Sequence, residues 1–204
     1  LLFEDTYLSI SLPSEGLYKD RGSRFISLAF PVKTDSEIKN IQSELRKKYH
    51  DARHHCYAYS LGADKSIYRM NDDGEPSGTG GKPIFGQIQS KDLTNILIVV
   101  VRYFGGTLLG VSGLINAYKT AAADAINHAR IITHIVKDVY EISFEYPAMN
   151  DVMTIMKEEK LEQLNQQFAL DCKLSFSVRK LDSDRIYDKL IKLENLKVKY
   201  LTTI

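Results

Sequence analysis

Residues 71–88 read NDDGEPSGTGGKPIFGQI, and residues 96–119 read ILIVVVRYFGGTLLGVSGLINAYK. Together they set two glycine-rich loops on either side of one hydrophobic strand. The first loop, Asn71 to Gly81, holds Asp72, Asp73, Glu75 and four glycines, a composition suited to turns rather than to a buried strand. Lys82-Pro83 then opens an apolar segment, Ile84 to Ile88, and proline fits a helix start, where no N–H is needed. Ile96 to Val101 is apolar without interruption and mostly β-branched, which predicts a strand buried on both faces. Arg102-Tyr103-Phe104 ends it, and Gly105-Gly106 and Gly110-Val111-Ser112-Gly113 lead into an Ala-rich helix over residues 114–128. Strand, glycine loop and helix start make a place where backbone N–H groups favour an anion, with Arg102 and Lys82 able to add charge. Glycines that only make tight turns are the plainer alternative.

Outward from this centre the chain reads as alternating short elements. Residues 6–12 alternate as a half-buried strand, 13–22 form a polar turn region, and 24–30 form a second strand closed by Pro31. These two strands are expected to pair as an antiparallel hairpin. Thr34-x-x-Glu37 is a capping box, and Ile38, Ile41, Leu45 and Tyr49 follow at helical spacing. In Arg53-His54-His55-Cys56, strand geometry sends His54 and Cys56 to one face and His55 to the other. Two aligned ligands fall short of the roughly four that a structural zinc site takes, so no metal is expected there. Residues 66–70 form a short strand before the acidic loop. Gly80-Gly81-Lys82-Pro83 fails as a phosphate-binding P-loop, because Pro76 stands where the first glycine belongs and Pro83 lacks a hydroxyl.

No glycine follows Gly113, and a boundary is expected near residues 133–138. Beyond it come a strand over 139–146, a helix face of Met149, Val152, Met153 and Met156, strands over 161–169 and 172–179, a helix face of Ile186, Leu190 and Leu193, and a strand over 196–202. The order β-α-β-β-α-β is that of the ferredoxin-like split βαβ unit. Formal net charge is +1 on 204 residues, without the basic excess common in duplex-binding domains. Any nucleic-acid contact must therefore come from a local patch. Cys56 and Cys172 are far apart, no apolar run reaches the roughly 18 residues of a membrane span, and the start is unlike a signal peptide. The expectation is a cytoplasmic protein that makes no membrane contact.

The run Asp72 to Pro83, the run Arg102 to Tyr118 and the upstream ARHHCYAY at 52–59 resemble the signature of the YigZ/IMPACT family, DDGEPxGTAGxP followed by RYxGGxLLGxGGLxxAY. Departures are Gly80 for alanine, Ser112 for glycine, Asn116 for a basic residue and Lys119 for glycine. The resemblance implies an α+β chain of two domains. Residues 1–134 would form a ribosomal-protein/GHMP-like β-α-β domain, and 139–204 a ferredoxin-like domain similar to the C-terminal domains of elongation factor G. It further implies a cleft of Arg53, His54, His55, Asp72, Asp73, Glu75, Ser77, Lys82, Arg102, Tyr103, Gly105, Gly106, Gly110, Ser112 and Tyr118. The eukaryotic members regulate translation and carry an extra N-terminal domain, so this chain looks like the bacterial type. The expected function is a non-enzymatic binding protein in translation or its control, meeting RNA, the ribosome or a protein partner and using no cofactor. Arg102 and Lys82 would neutralise phosphate, and Tyr103 or Tyr118 would stack a base. The alternative is an Mg-dependent enzyme on a phosphorylated small molecule, with Asp72 or Asp73 on the metal. A pure protein-interaction scaffold would instead show an exposed apolar patch.

Overall fold

The computed structural model describes residues 5–167 and 171–204. The chain divides into two compact units, Tyr7–His134 and Ile135–Ile204, the latter with Asp5 and Thr6.

The larger unit runs β1 (Thr6–Ile10), β2 (Ser14–Asp20), β3 (Ser23–Pro31), α1 (Asp35–Lys48), β4 (His54–Leu61), β5 (Ile67–Asn71), α2 (Gly81–Ser90), β6 (Ile96–Tyr103), α3 (Gly110–His128) and β7 (Ile131–Ile135). Five strands form one antiparallel sheet in the order β2-β3-β6-β4-β5. The apolar run of β6 lies at its centre because each face of the sheet is covered. On one face Ile96, Ile98 and Val100 join Ile84 and Ile88 of α2 and Leu114, Ala117 and Ala121 of α3. On the other, Leu97, Val99 and Val101 meet Ile38 and Leu45 of α1. The capping box forms as expected: Thr34 Oγ1 accepts from the Glu37 N–H, and Glu37 Oε2 accepts from the Thr34 N–H.

The expected hairpin is replaced. Residues 14–20 are a strand, not a turn, and β2 pairs with β3, while β1 pairs with β7 in a separate two-stranded sheet. The reason is Gly16. A Cβ there would lie 2.4 Å from the Ala125 nitrogen, so β2 and the Ala-rich α3 meet backbone to backbone. The strand is covered by the helix rather than by large side chains of its own, and its sequence shows little apolar alternation.

The smaller unit runs β8 (Lys137–Glu145), α4 (Met149–Glu158), β9 (Glu162–Gln167), β10 (Asp171–Arg179), α5 (Ser183–Leu190) and β11 (Lys197–Thr203). Its sheet is antiparallel in the order β11-β8-β10-β9. Alternate residues Ile142 and Phe144 of β8 and Leu174, Phe176 and Val178 of β10 share one core with Val152 and Met156 of α4 and Ile186 and Leu190 of α5. Met153 stands outside that core, so only part of the methionine stripe is buried. Of the strand expected over 161–169, Phe168 and Ala169 lie outside the described residues. Arg179 grips the buried Asp5 carboxylate, with Nη2 at 2.9 Å from Oδ1.

Gly16→Ala tests the β2–α3 approach. Forcing a methyl group between two backbones costs about 1–3 kcal/mol, read as a lower midpoint in urea unfolding with the slope unchanged. An unchanged midpoint would mean that α3 can retreat from β2 freely.

Candidate binding site around two glycine-rich loops

The acidic loop is held by its own carboxylates. Asp72 Oδ2 accepts from the Gly78 N–H at 2.8 Å, and Oδ1 accepts from Gly80 and Gly81 at 2.9 and 2.8 Å. The Gly80 and Gly81 donors sit at the start of α2, so Asp72 fills the position where a helix would welcome an anion. Asp73 accepts from Arg46 at 2.7 Å on one oxygen and from the His55 N–H at 2.7 Å on the other. Burial alone would raise both carboxyls. The three N–H bonds outweigh it for Asp72, and the Arg46 and His55 bonds outweigh it for Asp73, so both fall below the ordinary 3.8.

Glu75 ties the two loops together. Its Oε1 accepts from Arg102 Nη1 at 2.7 Å and from the Tyr118 hydroxyl at 2.8 Å. The Glu75 and Arg102 side chains are only 4% and 8% exposed. The Arg102 guanidinium lies 5.5 Å from the Phe25 ring centre and 5.6 Å from that of Phe104. Tyr118 meets Phe25 edge-on at 5.1 Å. The buried Cys56 thiol donates to the Asp72 carbonyl at 2.9 Å. Burial pushes both the Cys56 thiol and the Tyr118 phenol up, so both stay protonated at neutral pH.

The loops expected to flank a cleft thus do meet, at a buried clasp. Phosphate neutralisation by Arg102, base stacking by Tyr118 and metal binding by Asp72 or Asp73 would each draw on a group already engaged inside the fold. His55 is likewise buried, and burial, with Arg46 adding to it, holds its pKa below the ordinary 6.5. Among the described residues no three of His, Cys, Asp or Glu converge as metal ligands.

The open part of the site lies beside the clasp. A cavity of 620 Å³ is lined by Arg53, His54, Arg102, Tyr103, Phe104 and Leu108 among others. Arg53 is exposed, and His54 is held with Nδ1 2.9 Å from the Asp73 carbonyl. The Tyr103 hydroxyl donates to Asp51 at 2.7 Å, and Arg24 lies 4.7 Å over the Tyr103 ring. Gly105 presses on the β2–β3 turn: a Cβ there would stand 1.9 Å from the Gly22 carbonyl carbon, and its N–H donates to Ser23 Oγ at 3.1 Å. Gly106, Gly110 and Ser112 are exposed along the second loop and the first turn of α3, and Ser77 is exposed on the acidic loop. Lys82 is not among this group. It lines a separate cavity of 670 Å³ with Tyr68, Met70 and Phe85.

Four large apolar residues absent from the expected cleft stand in water along the second loop and the start of α3. Phe104 and Leu108, which line the cavity, are 55% and 81% exposed, and Val111 and Ile115 are 59% and 39% exposed. Val111 and Ile115 stand one turn apart on α3, off the face of Leu114, Ala117, Tyr118 and Ala121 that enters the core. That spacing was legible in the sequence as a second, outward apolar stripe.

A family model described as the Impact N-terminal domain matches residues 21–126. The chain is 31% identical over 154 residues to the IMPACT family member YigZ of Escherichia coli, covering 74% of this chain and 76% of the relative. It is 33% identical over 138 residues to the IMPACT family member YvyE of Bacillus subtilis, covering 68% of this chain and spanning 64% of that relative's length. A crystal structure of a hypothetical protein superposes with a TM-score of 0.74 at 26% identity, over 97% of this chain and 98% of the other.

Breaking the clasp strands a buried charge. Arg102→Ala and Glu75→Ala should each lower stability by about 3–5 kcal/mol, while Tyr118→Phe costs about 1–3 kcal/mol for one lost bond to the carboxylate; urea unfolding reads all three. Acid acts on the loop in a defined order. The His55 contribution is full above pH 6.5 and lost as pH falls through its depressed folded pKa; those of Asp72 and Asp73 are full above 3.8 and lost as pH falls through theirs. Unfolding measured against pH should therefore show Asp72→Asn converging on the wild type below pH 3.8. A constant gap between the two down to strong acid would contradict the assignment.

Proposed function

The chain belongs to the IMPACT family, and from that premise we propose that it is a non-enzymatic binding module acting in translation or its control, docking a protein partner on the rim of the second glycine loop. One observation carries the reading. Phe104 and Leu108 border the 620 Å³ cavity together, and Val111 and Ile115 are exposed on the adjoining start of α3. A group of large apolar side chains left in water, beside the polar Arg53 and His54, has the make-up of a protein-contact surface. Translation enters from the resemblance of the motifs to the IMPACT proteins.

Contact with RNA or the ribosome is the second reading, favoured by the exposed Arg53 and by the Arg24–Tyr103 pair on the same rim. The enzyme reading has less support, since both oxygens of Asp72 and of Asp73, and Oε1 of the buried Glu75, are engaged in internal bonds. Within the same proposal the larger unit is of the ribosomal-protein/GHMP-like type. The smaller is ferredoxin-like, a reading supported by its β11-β8-β10-β9 order and by two helices on one core. Residues 1–134 and 139–204 would be the two domains. A reducing, cytoplasmic setting is supported by Cys56 and Cys172 each lying buried, one in the core of each unit.

The test is ribosome co-sedimentation from a lysate of the host cell at low and high salt, using surface variants that spare the clasp. Leu108→Asp should abolish association at both salt concentrations, while its melting temperature stays at the wild-type value. If Arg53→Glu alone abolishes association, and salt removes it steeply, the RNA reading replaces the protein one. Association unchanged in both variants would overturn the docking rim.

A further inference from the structure

Two strands close the five-stranded sheet of the larger unit, β2 at one edge and β5 at the other. They end differently. On β2, α3 takes the outward backbone groups: the Leu17 N–H donates to Asp124 Oδ2 at 2.9 Å, and the Glu15 carbonyl lies 3.0 Å from His128 Nδ1. On β5, among the described residues, no backbone group of Ile67–Asn71 is bonded on the side away from β4. Pairing with β4 runs without a bulge from Ile67 opposite Leu61 to Asn71 opposite Tyr57, and the strand has no proline. Ile67, Tyr68 and Met70 are 57%, 56% and 38% exposed. An uncapped edge free of bulge and proline, with apolar side chains in water, is a template for another strand, and this fold caps its other edge.

The side chains say what kind of strand fits. Tyr68 and Met70 share a face with Phe85, whose ring stacks on Tyr68 at 5.0 Å, and with the exposed Lys82. Arg69 lies on the opposite face, opposite Tyr59 of β4 and within electrostatic reach of Lys39 of α1. Lys39 has Asp35 and Lys65 has Asp92, but among the described residues neither Arg69 nor Lys82 has a carboxylate partner. A second copy is a poor occupant. Two β5 strands paired antiparallel about Arg69 would set Arg69 against Arg69, and like charges directly opposite destabilise a pair.

We propose that β5 accepts an added strand from an acidic, extended segment of another protein, its apolar side chains against Tyr68 and Met70 and its carboxylates against Arg69, with Lys82 at the rim. Main-chain bonds would supply affinity and the alternating side chains specificity. This surface is separate from the apolar rim at Leu108, and its test does not depend on that reading.

The probe is a blocked seven-residue peptide of alternating Val and Glu, titrated into the isotope-labelled full chain, with an alternating Val and Lys peptide as control. The amides of Ile67–Asn71 should shift and gain protection from solvent exchange with the acidic peptide, and salt should weaken binding. Arg69→Glu should weaken it about tenfold, with the melting temperature unchanged, since Arg69 is exposed. Equal binding of the Lys peptide, shifts confined to other strands, or no shift at about 1 mM peptide would overturn the proposal. So would a concentration-dependent dimer, seen by sedimentation and blocked by the acidic peptide, which would give the edge to a second copy.

Discussion

Glu75 accepts two hydrogen bonds on one oxygen, from Arg102 and from Tyr118, and the larger unit is assembled around that point. Arg102 ends the central strand, Tyr118 sits one face deep in α3, and Glu75 comes from a loop that neither element could otherwise hold. Burying a guanidinium and a carboxylate costs several kcal/mol of hydration per ion. The cost is offset where each keeps partners in good geometry: here a phenol shares the carboxylate oxygen and two aromatic rings flank the guanidinium, although Arg102 Nε is buried without a hydrogen-bond partner among the described residues. Asp72 and Asp73 extend the same logic outward, one fixing the start of α2 and the other joining Arg46 of α1 to β4. The acidic loop is therefore a fastening that links three helices to one sheet.

Much of this was legible in the sequence, for physical reasons that differ by segment. The apolar run 96–101 has to be buried on both faces, and it is. The capping box needs only local geometry, and Thr34 and Glu37 form it. In the smaller unit the strand and helix periods alternate cleanly, and the elements follow that order. The failures come where pairing is decided far away in the chain. Segment 14–20 reads as a turn because its covering surface, the backbone of α3 at Ala125, lies more than a hundred residues on. Residues 131–135 read as linker because their partner β1 stands at the other end of the unit.

The charged and aromatic residues of the two loops were legible as motifs, but their geometry was not. Charged and aromatic side chains on two glycine loops suggest an open cleft, and the sequence cannot say which of them will satisfy one another. Once Glu75 takes Arg102 and Tyr118, the open surface passes to neighbours. Arg53 and His54 remain on it, Lys82 goes to a different cavity, and Phe104, Leu108, Val111 and Ile115 supply the exposed apolar rim. The charged motif residues and the exposed apolar residues are then largely different sets, the first building the loops and the second displayed by them.

The central claim is that the charged motif residues act on one another. A double-mutant cycle tests it most directly: Glu75→Leu, Arg102→Met and the pair, each unfolded in urea at neutral pH. A coupling energy of about 2–3 kcal/mol is predicted, with the double variant more stable than either single one because no buried charge is left alone. Additive losses, with no coupling between the two positions, would contradict the account and return Arg102 to the list of groups free to meet a ligand.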